Sequence, residues 1–388
     1  MLVPVTPKDL GEQNKRVILD CVRKHGPVSR ADLARLLDMS FPTVSLNVGK
    51  LIDNGFLLEA GHAKNTTGRK ATLLEFNAAW GYVMSADIGR SQIRVMLSNL
   101  DGRELAYLKQ DYQPAAQDNI IERNLFTMME SSLKQAGIRP EQVKHCTLGM
   151  PGIWDPQSGK LISVPFMAYL DLPGTLSRLD AYLHCPIIVE NSVNLGAIGE
   201  KWRGAAKGYR DILYFSYGVG IGSALILAGE LYKGINSAAG EIGYMIPDAA
   251  HMRDSFDEQG VMESLIAGSI IQAEMDRQGL GQDFERLMRE SMENQQDARV
   301  LIQRVAVHIG MLLINTISVI NAQVVVIGGR FGELIAPSLI PYWKTLLKNH
   351  VPFPPEIVVS ALCEKASVTG GVAIGVRMVN DMLVDLIA

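Results

Sequence analysis

Only four cysteines occur in 388 residues, at positions 21, 146, 185 and 363, and no two of them are near neighbours. With no Cys-x-x-Cys pair there is no sign of a zinc ribbon or a dithiol redox centre. Such scattered residues read as free buried thiols in a reducing compartment, not as a disulfide frame. A basic excess is also missing. Lys and Arg number 37 against 41 Asp and Glu, a formal net charge of −4, which excludes a chain that coats nucleic acid by charge alone. Nor is there a clean apolar run of about 20 residues of the kind a membrane-spanning helix needs. The most apolar stretch, 305–329, contains His308, Asn315, Asn321 and Gln323 and ends VVVIGG. It reads as a buried helix followed by a short buried strand. The first residues lack the basic-then-apolar plan of a signal peptide. The expectation is a soluble, cytoplasmic protein with no membrane partner.

What is present is enough apolar material, 47% of residues, for more than one core, and a length that suggests two to four domains. Charge is unevenly divided. Residues 1–75 carry 11 Lys and Arg against 8 Asp and Glu, and the rest carry 26 against 33. A mildly basic head therefore precedes an acidic body.

The head has a dense series of helix signals. NKRVILDCVRKHG is amphipathic and stops at Gly26. Ser29 is placed to cap a second helix, with Asp32 favourable in its first turn. Ser40 is placed to cap a third, with Pro42 tolerated near its start and Gly55 ending it. On the third helix Val44, Val48 and Leu51 are expected to share the buried face and Thr43, Asn47 and Lys50 the outward one. The second and third helices together read as a helix-turn-helix. A hydroxyl, an amide and an ammonium on its outer stripe suit base edges and phosphates in a major groove. After Gly55 two apolar strand-like pieces flank KNTTGRK, a hairpin wing with Arg69 and Lys70 at its tip, fit for a narrowed minor groove. The expected DNA-binding residues are Ser40, Thr43, Asn47, Lys50, Arg69 and Lys70, and the expected partner is double-stranded DNA.

Beyond residue 80 the pattern changes to alternating strands and helices, an α/β signature. Three strands joined by turns span about 80–112, a helix covers about 118–136, and PIIVENSVNLGAIGEKW runs from strand into helix. Glycines cluster at CTLGMPG, YGVGIG, VVVIGGRFGE and SVTGGVAIG. At strand ends, glycines let backbone amides approach a phosphate.

Asp87-Ile88-Gly89, Pro151-Gly152, Glu190-Asn191 with Asn194, Gly218 to Gly222, Gly240-Glu241-Ile242-Gly243, Glu263 and Gly328-Gly329 together resemble the ROK family of bacterial sugar kinases and sugar-responsive repressors. The resemblance covers nearly the whole chain. It implies a winged helix-turn-helix over 1–76, then a two-lobed, actin-like (ribonuclease H-like) sugar kinase fold. Lobe 1 would cover 80–190, with a C-terminal helix of about 372–388 packing back on it, and lobe 2 would cover 191–371 and carry a dimerisation surface.

The departures from the family pattern matter as much. The family's catalytic aspartate follows Glu-Asn; here that position is Ser192, which cannot take a proton from a sugar hydroxyl near neutral pH. Arg90 stands where a glycine normally admits phosphates. No catalytic residue and no ATP are therefore expected. The family's structural zinc uses one histidine and three cysteines, positions held here by Tyr244, Asp254, Phe256 and Val261. No metal is expected, and an apolar cluster of Phe256 and Val261 would staple the loop in its place. His251 reads as a surface residue. Matched one by one to the family's sugar contacts, Asn191, Glu241, Tyr244 and Glu263 are the expected sugar-binding residues.

These readings converge on a transcriptional regulator, expected to repress genes of carbohydrate uptake or catabolism. It would act as a homodimer or tetramer on a pseudo-palindromic operator and be released by a sugar or sugar derivative. A kinase with retained activity, and a regulator controlled by a protein partner without a small ligand, are the alternatives.

Overall fold

The computed structural model describes residues 7–62, 71–112, 119–155, 160–162, 170–253, 259–281, 283–292 and 296–386. Its first unit is helix α1 (Pro7–His25), strand β1 (Val28–Ser29), helices α2 (Arg30–Leu36) and α3 (Phe41–Asp53), and strands β2 (Leu57–His62) and β3 (Thr72–Phe76). Helix α1 starts earlier than its amphipathic stretch suggests. The caps fall where the sequence puts them. The Ser29 hydroxyl accepts the Asp32 N–H at 3.2 Å while the Asp32 carboxylate reaches back to the Ser29 N–H at 3.4 Å, a reciprocal capping box. The Ser40 hydroxyl accepts the Thr43 N–H at 3.3 Å. Strand β3 lies between β1 and β2 in a small sheet, and Ile18, Val22, Leu33, Val44, Val48, Leu51, Phe56 and Leu74 fill the space between helices and sheet.

The body contains two five-stranded sheets of one design. The first is built from β4 (Tyr82–Ile88), β5 (Gln92–Asn99), β6 (Glu104–Asp111), β7 (Val143–Met150) and β10 (Ile187–Asn191), with α4 (Ile120–Ala136) and α5 (Leu172–Leu183) between strands and a two-stranded outlier, β8 (Ile153–Asp155) with β9 (Lys160–Ile162). Its order is β10-β7-β4-β5-β6. After α6 (Ser192–Arg203) come β11 (Ile212–Tyr217), β12 (Ile221–Leu227), β13 (Glu230–Tyr232), α7 (Val261–Ile266), α8 (Gly268–Arg277), α9 (Phe284–Met292), α10 (Gln296–Ile320), β14 (Val324–Gly328), α11 (Arg330–His350), β15 (Glu356–Val359) and α12 (Ala366–Leu386). The second sheet is ordered β13-β12-β11-β14-β15. In each sheet three strands pair antiparallel and two further strands add in parallel. The fold is thus an α/β, two-lobed actin-like body behind a winged helix.

Two helices cross between the lobes. Helix α6 leaves the last strand of the first sheet and packs on β11 and β12 of the second, while α12 leaves the last strand of the second and packs on β4, β5 and β7 of the first. Their crossing is close because glycines meet backbone there. A Cβ on Gly370 would lie 1.8 Å from the Leu195 carbonyl oxygen, and one on Gly199 2.3 Å from that of Ala366. This corrects one expectation: Gly370, Gly371 and Gly375 lie inside α12, which starts at Ala366, and are not at a strand end offering amides to a phosphate. Gly329, by contrast, does sit at a strand end, with φ of 82° between β14 and α11.

Helix α10 is long and apolar enough to cross a membrane by length and composition alone. It is the central helix of the second lobe, where Leu301, Val305, Ile309, Leu312, Leu313 and Ile317 are buried among residues of β11, β14 and α11. Three cysteines are buried as expected; Cys363 is exposed, because it sits in the turn before α12.

The head does not hang free. Its core continues without a break into Val83, Met96 and Leu100 of the first lobe and Val368, Val372, Val376 and Val379 of α12. Polar ties reinforce this seam: Arg16 pairs with Asp381 at 2.9 Å, and the Arg23 guanidinium donates to the Leu100 carbonyl at 2.6 Å.

Candidate DNA-reading helix and effector cleft

Helix α3 is the second helix of the helix-turn-helix, and its outward face differs from the expected one. Its buried residues are Val44, Asn47, Val48 and Leu51. Asn47 is only 5% exposed, and its amide donates to the Thr43 carbonyl at 2.8 Å. The reason is helical spacing. Position 47 follows 44 by three and precedes 51 by four, so it lies inside the apolar stripe. Asn47 therefore does not present its amide to a groove. Lys50 is exposed as expected. Ser40 and Thr43 are at the helix start, their hydroxyls 2.7 Å apart and hydrogen-bonded to one another. Helix α3 also exposes two large apolar side chains that the polar-stripe reading missed: Phe41 at its first position, 53% exposed, and Leu46 on the outward face, 64% exposed. Arg69 and Lys70 lie outside the described residues.

The second candidate site is the cleft between the lobes. On the first-lobe side, strand ends bring together Asp87, Asn191 and Ser192. Asn191 caps α6, its side-chain oxygen accepting the N–H groups of Val193 at 2.7 Å and Asn194 at 3.2 Å, while its amide donates to the Gly152 carbonyl at 2.8 Å. Much of its bonding capacity is thus spent on holding the helix start to the Pro151-Gly152 turn. The Ser192 hydroxyl donates to Asp87 at 2.5 Å. Asp87 is buried and is paired on its other oxygen with Arg94 at 3.1 Å. The buried Tyr112 hydroxyl, pushed up to about 12 by burial and by the Asp87 charge, donates to the Gly89 carbonyl at 2.5 Å.

On the second-lobe side the hairpin β11–β12, a short helical turn at Ile242–Tyr244 and helix α7 converge. Gly240 has φ of 89°, and a Cβ there would strike the Ser223 carbonyl at 2.5 Å. The Ser223 hydroxyl donates to the Gly240 carbonyl at 2.8 Å. This clasp sets Glu241 at the cleft. Gly260 packs so tightly on Gly243, with a 2.1 Å approach for any Cβ, that α7 delivers Glu263 beside the same loop. Glu263 also lies against Gly220, whose Cβ would be 2.5 Å from its Oε1. Both carboxyls are held above the ordinary glutamate value. Burial is the main cause for each; Glu241 is raised further by Glu263, and Glu263 is moderated by the Ile221 N–H and the positive Arg90. Arg90 comes from the first lobe, so the two lobes already interact electrostatically across the cleft. A second link was not anticipated: Lys233, just past β13, is ion-paired with Glu190, which also accepts the Asn191 N–H at 2.9 Å and the Asn194 amide at 3.0 Å.

Of the expected sugar contacts, Glu241, Glu263 and Tyr244 come together in one loop region, and Asn191 lies on the opposing lobe. Tyr244 and Val261 supply neither sulfur nor imidazole, and Val261 is buried, so the residues present do not fit a tetrahedral zinc centre of the usual ligands. Positions 254 and 256 lie outside the described residues, and among the described residues no group of three His, Cys, Asp or Glu could hold a metal. His251 is 38% exposed and bonded through Nδ1 to Asp248 at 2.7 Å, in a turn that Asp248 caps.

Comparison with known proteins covers both parts. The ROK family profile matches residues 83–377, and a winged helix-turn-helix DNA-binding profile matches residues 12–57. The chain is 29% identical to a putative xylose repressor of Caldicellulosiruptor sp. strain Rt8B.4 over 95% of its own length and 96% of that protein's. It is 24% identical to the xylose repressor of Bacillus subtilis over the same shares. Among solved structures, a ROK family transcriptional regulator described as a homolog of the E. coli MLC protein superposes with a TM-score of 0.75 at 20% identity, covering 97% of this chain and 98% of that one.

Proposed function

The chain belongs to the ROK family, and on that premise we propose that it is a DNA-binding, sugar-responsive transcription repressor of carbohydrate genes. It would act in the bacterial cytoplasm, where its operator is. The observation that carries this reading is the extent of the likeness: xylose repressors match it through the head and both lobes, not only through the kinase-like body. Two heads in a homodimer, or in each half of a tetramer, would engage a pseudo-palindrome with half-sites spaced by whole helical turns. Ser40, Thr43 and Lys50 contribute from α3, and Arg69 and Lys70 from the wing.

The body senses and does not catalyse. The position of the family's base is Ser192, whose hydroxyl is already donated to Asp87, and Asp87 is already ion-paired with Arg94. Loss of the base alone costs about 10²–10⁴-fold or more. Purified protein with ATP and a sugar panel is expected to form no ADP above background. Neither ATP nor zinc is needed for the regulatory role.

The effector is a sugar or sugar derivative that binds Glu241, Glu263 and Tyr244 with Asn191 opposite. Carboxylates accept hydrogen bonds from sugar hydroxyls, each oxygen having two acceptor sites. The ligand would change the angle between lobes through its differential affinity for the two arrangements. Helix α6 is suited to carry that change. It begins at the cleft with Ser192, and at its far end Arg203 donates to the Gly102 carbonyl at 2.5 Å and to that of Asp101. Trp202 packs against Gly102, where a Cβ would come within 2.1 Å of the ring. Arg23 of the head holds the neighbouring Leu100 carbonyl. One rigid helix thus joins the effector cleft to the turn on which the head is seated.

The test is release. Genomic fragments retained by the purified protein are challenged with free pentoses, hexoses, amino sugars, sugar acids and sugar phosphates. One class is expected to release the DNA, and Glu241→Ala to abolish release while leaving DNA binding in place. Retention under every sugar would remove the sugar-sensing part of the proposal, and failure to retain any fragment would remove the DNA-binding part.

A further inference from the structure

The outward face of α3 has an unusual composition for a groove-facing helix. Leu46 stands at its middle, 64% exposed, and its neighbours at helical spacing are Pro42, Thr43, Gly49 and Lys50. Gly49 adds an independent observation. A glycine in a helix interior costs about 1 kcal/mol relative to alanine, and natural sequences usually keep one for close packing. Here a Cβ on Gly49 would meet nothing within 4 Å. Nothing among the described residues requires the glycine, so the room it leaves is on the outside, one turn from an exposed leucine and next to an exposed lysine.

We propose that this face is the base-reading surface, with Leu46 packing on thymine 5-methyl groups and Gly49 letting the helix backbone sit close to the groove wall. The inference rests on the DNA-binding reading and specifies which chemistry of the DNA is read. The major groove presents one apolar group, the thymine methyl, and an aliphatic side chain is its natural partner. The neighbouring Lys50 supplies the charge that keeps an apolar face on a phosphate-lined surface. Asn47, buried and bonded within the helix, has no part in the readout.

The experiment selects binding sites for the full-length protein from random-sequence duplex DNA, then replaces each thymine of the best site by deoxyuridine. Uracil pairs identically and lacks only the methyl. Affinity is expected to fall about fourfold at one or two positions per half-site, the worth of a buried methyl-sized group. Leu46→Ala, an exposed change that should leave the melting temperature intact, is expected to bind thymine and uracil sites equally. Gly49→Ala is expected to raise the melting temperature and weaken the selected site, two opposite signs that a structural role for the glycine would not produce. Equal affinity of the wild type for thymine and uracil at every position would overturn the inference while leaving DNA binding standing. Retained discrimination in Leu46→Ala would do the same. Enrichment of no sequence at all would overturn the DNA-binding reading as well.

Discussion

Glu241 and Glu263 show how a pair of side chains can be costly at rest and useful when a ligand arrives. Both are held above the ordinary value of 4.5, chiefly by burial. A carboxyl whose folded pKa exceeds its unfolded one stabilises the fold relatively at low pH, and that contribution is lost as pH rises through the folded value. At about pH 7 both groups therefore penalise the ligand-free fold. Glu241→Gln is expected to melt higher than the parent near neutrality and to converge with it on acidification below about pH 4. Matched thermal melts at the two pH values check this, and an equal difference at both would show that the carboxylate charge is not the cause. The same substitution should abolish the thermal shift given by the effector. For the parent at 100 times Kd that shift corresponds to about 2.7 kcal/mol.

At the scale of elements, the crossing of α6 and α12 is the most demanding piece of packing in the body. Gly370 of α12 and Gly199 of α6 bring backbone against backbone, so even one methyl group has no room. Gly370→Ala is expected to cost at least about 1–3 kcal/mol, the usual penalty for overpacking, read by chemical denaturation. A variant as stable as the parent would mean that the helices can part without loss, and would weaken the case for a rigid crossing. The helix caps of the head are a smaller matter. Ser29→Ala should cost about 0.5–2 kcal/mol and fray α2 without touching the body.

For the whole molecule the question is how a cleft between lobes reaches a helix bound to DNA. The continuous core between head, first lobe and α12 makes the head part of the first lobe, and α6 spans from the cleft to the seam. Arg203→Ala removes the bonds to the turn at 101–102 while leaving both α3 and the sugar residues intact. The expected result is normal operator affinity and normal sugar binding, with their coupling reduced from the typical 5–150-fold toward none. Unchanged sugar-driven release in Arg203→Ala would move the coupling to another route, such as the Arg90 and Lys233 links across the cleft.

The local code of the sequence determined a good deal by itself. Capping serines, helix periodicity and glycine stops located α2 and α3, because these depend on neighbours within one or two turns. The alternation of strands and helices, together with family motifs at Asp87, Asn191, Glu241 and Glu263, was enough for a winged helix on a two-lobed body. What the sequence left undecided depended on contacts between distant residues. The glycines of SVTGGVAIG look like a loop until α6 is seen lying across them. Asn47 is the exception: its spacing from Val44 and Leu51, already present in the sequence, places it on the stripe that packs against the rest of the head. The exposure of Leu46 is the complement of that burial, since α3 turns its other face to α1, α2 and β2. The bond from Ser192 to Asp87 and the pairing of Lys233 with Glu190 join residues 105 and 43 positions apart; the order of strands within the first sheet brings the first pair together, and the approach of the two lobes brings the second.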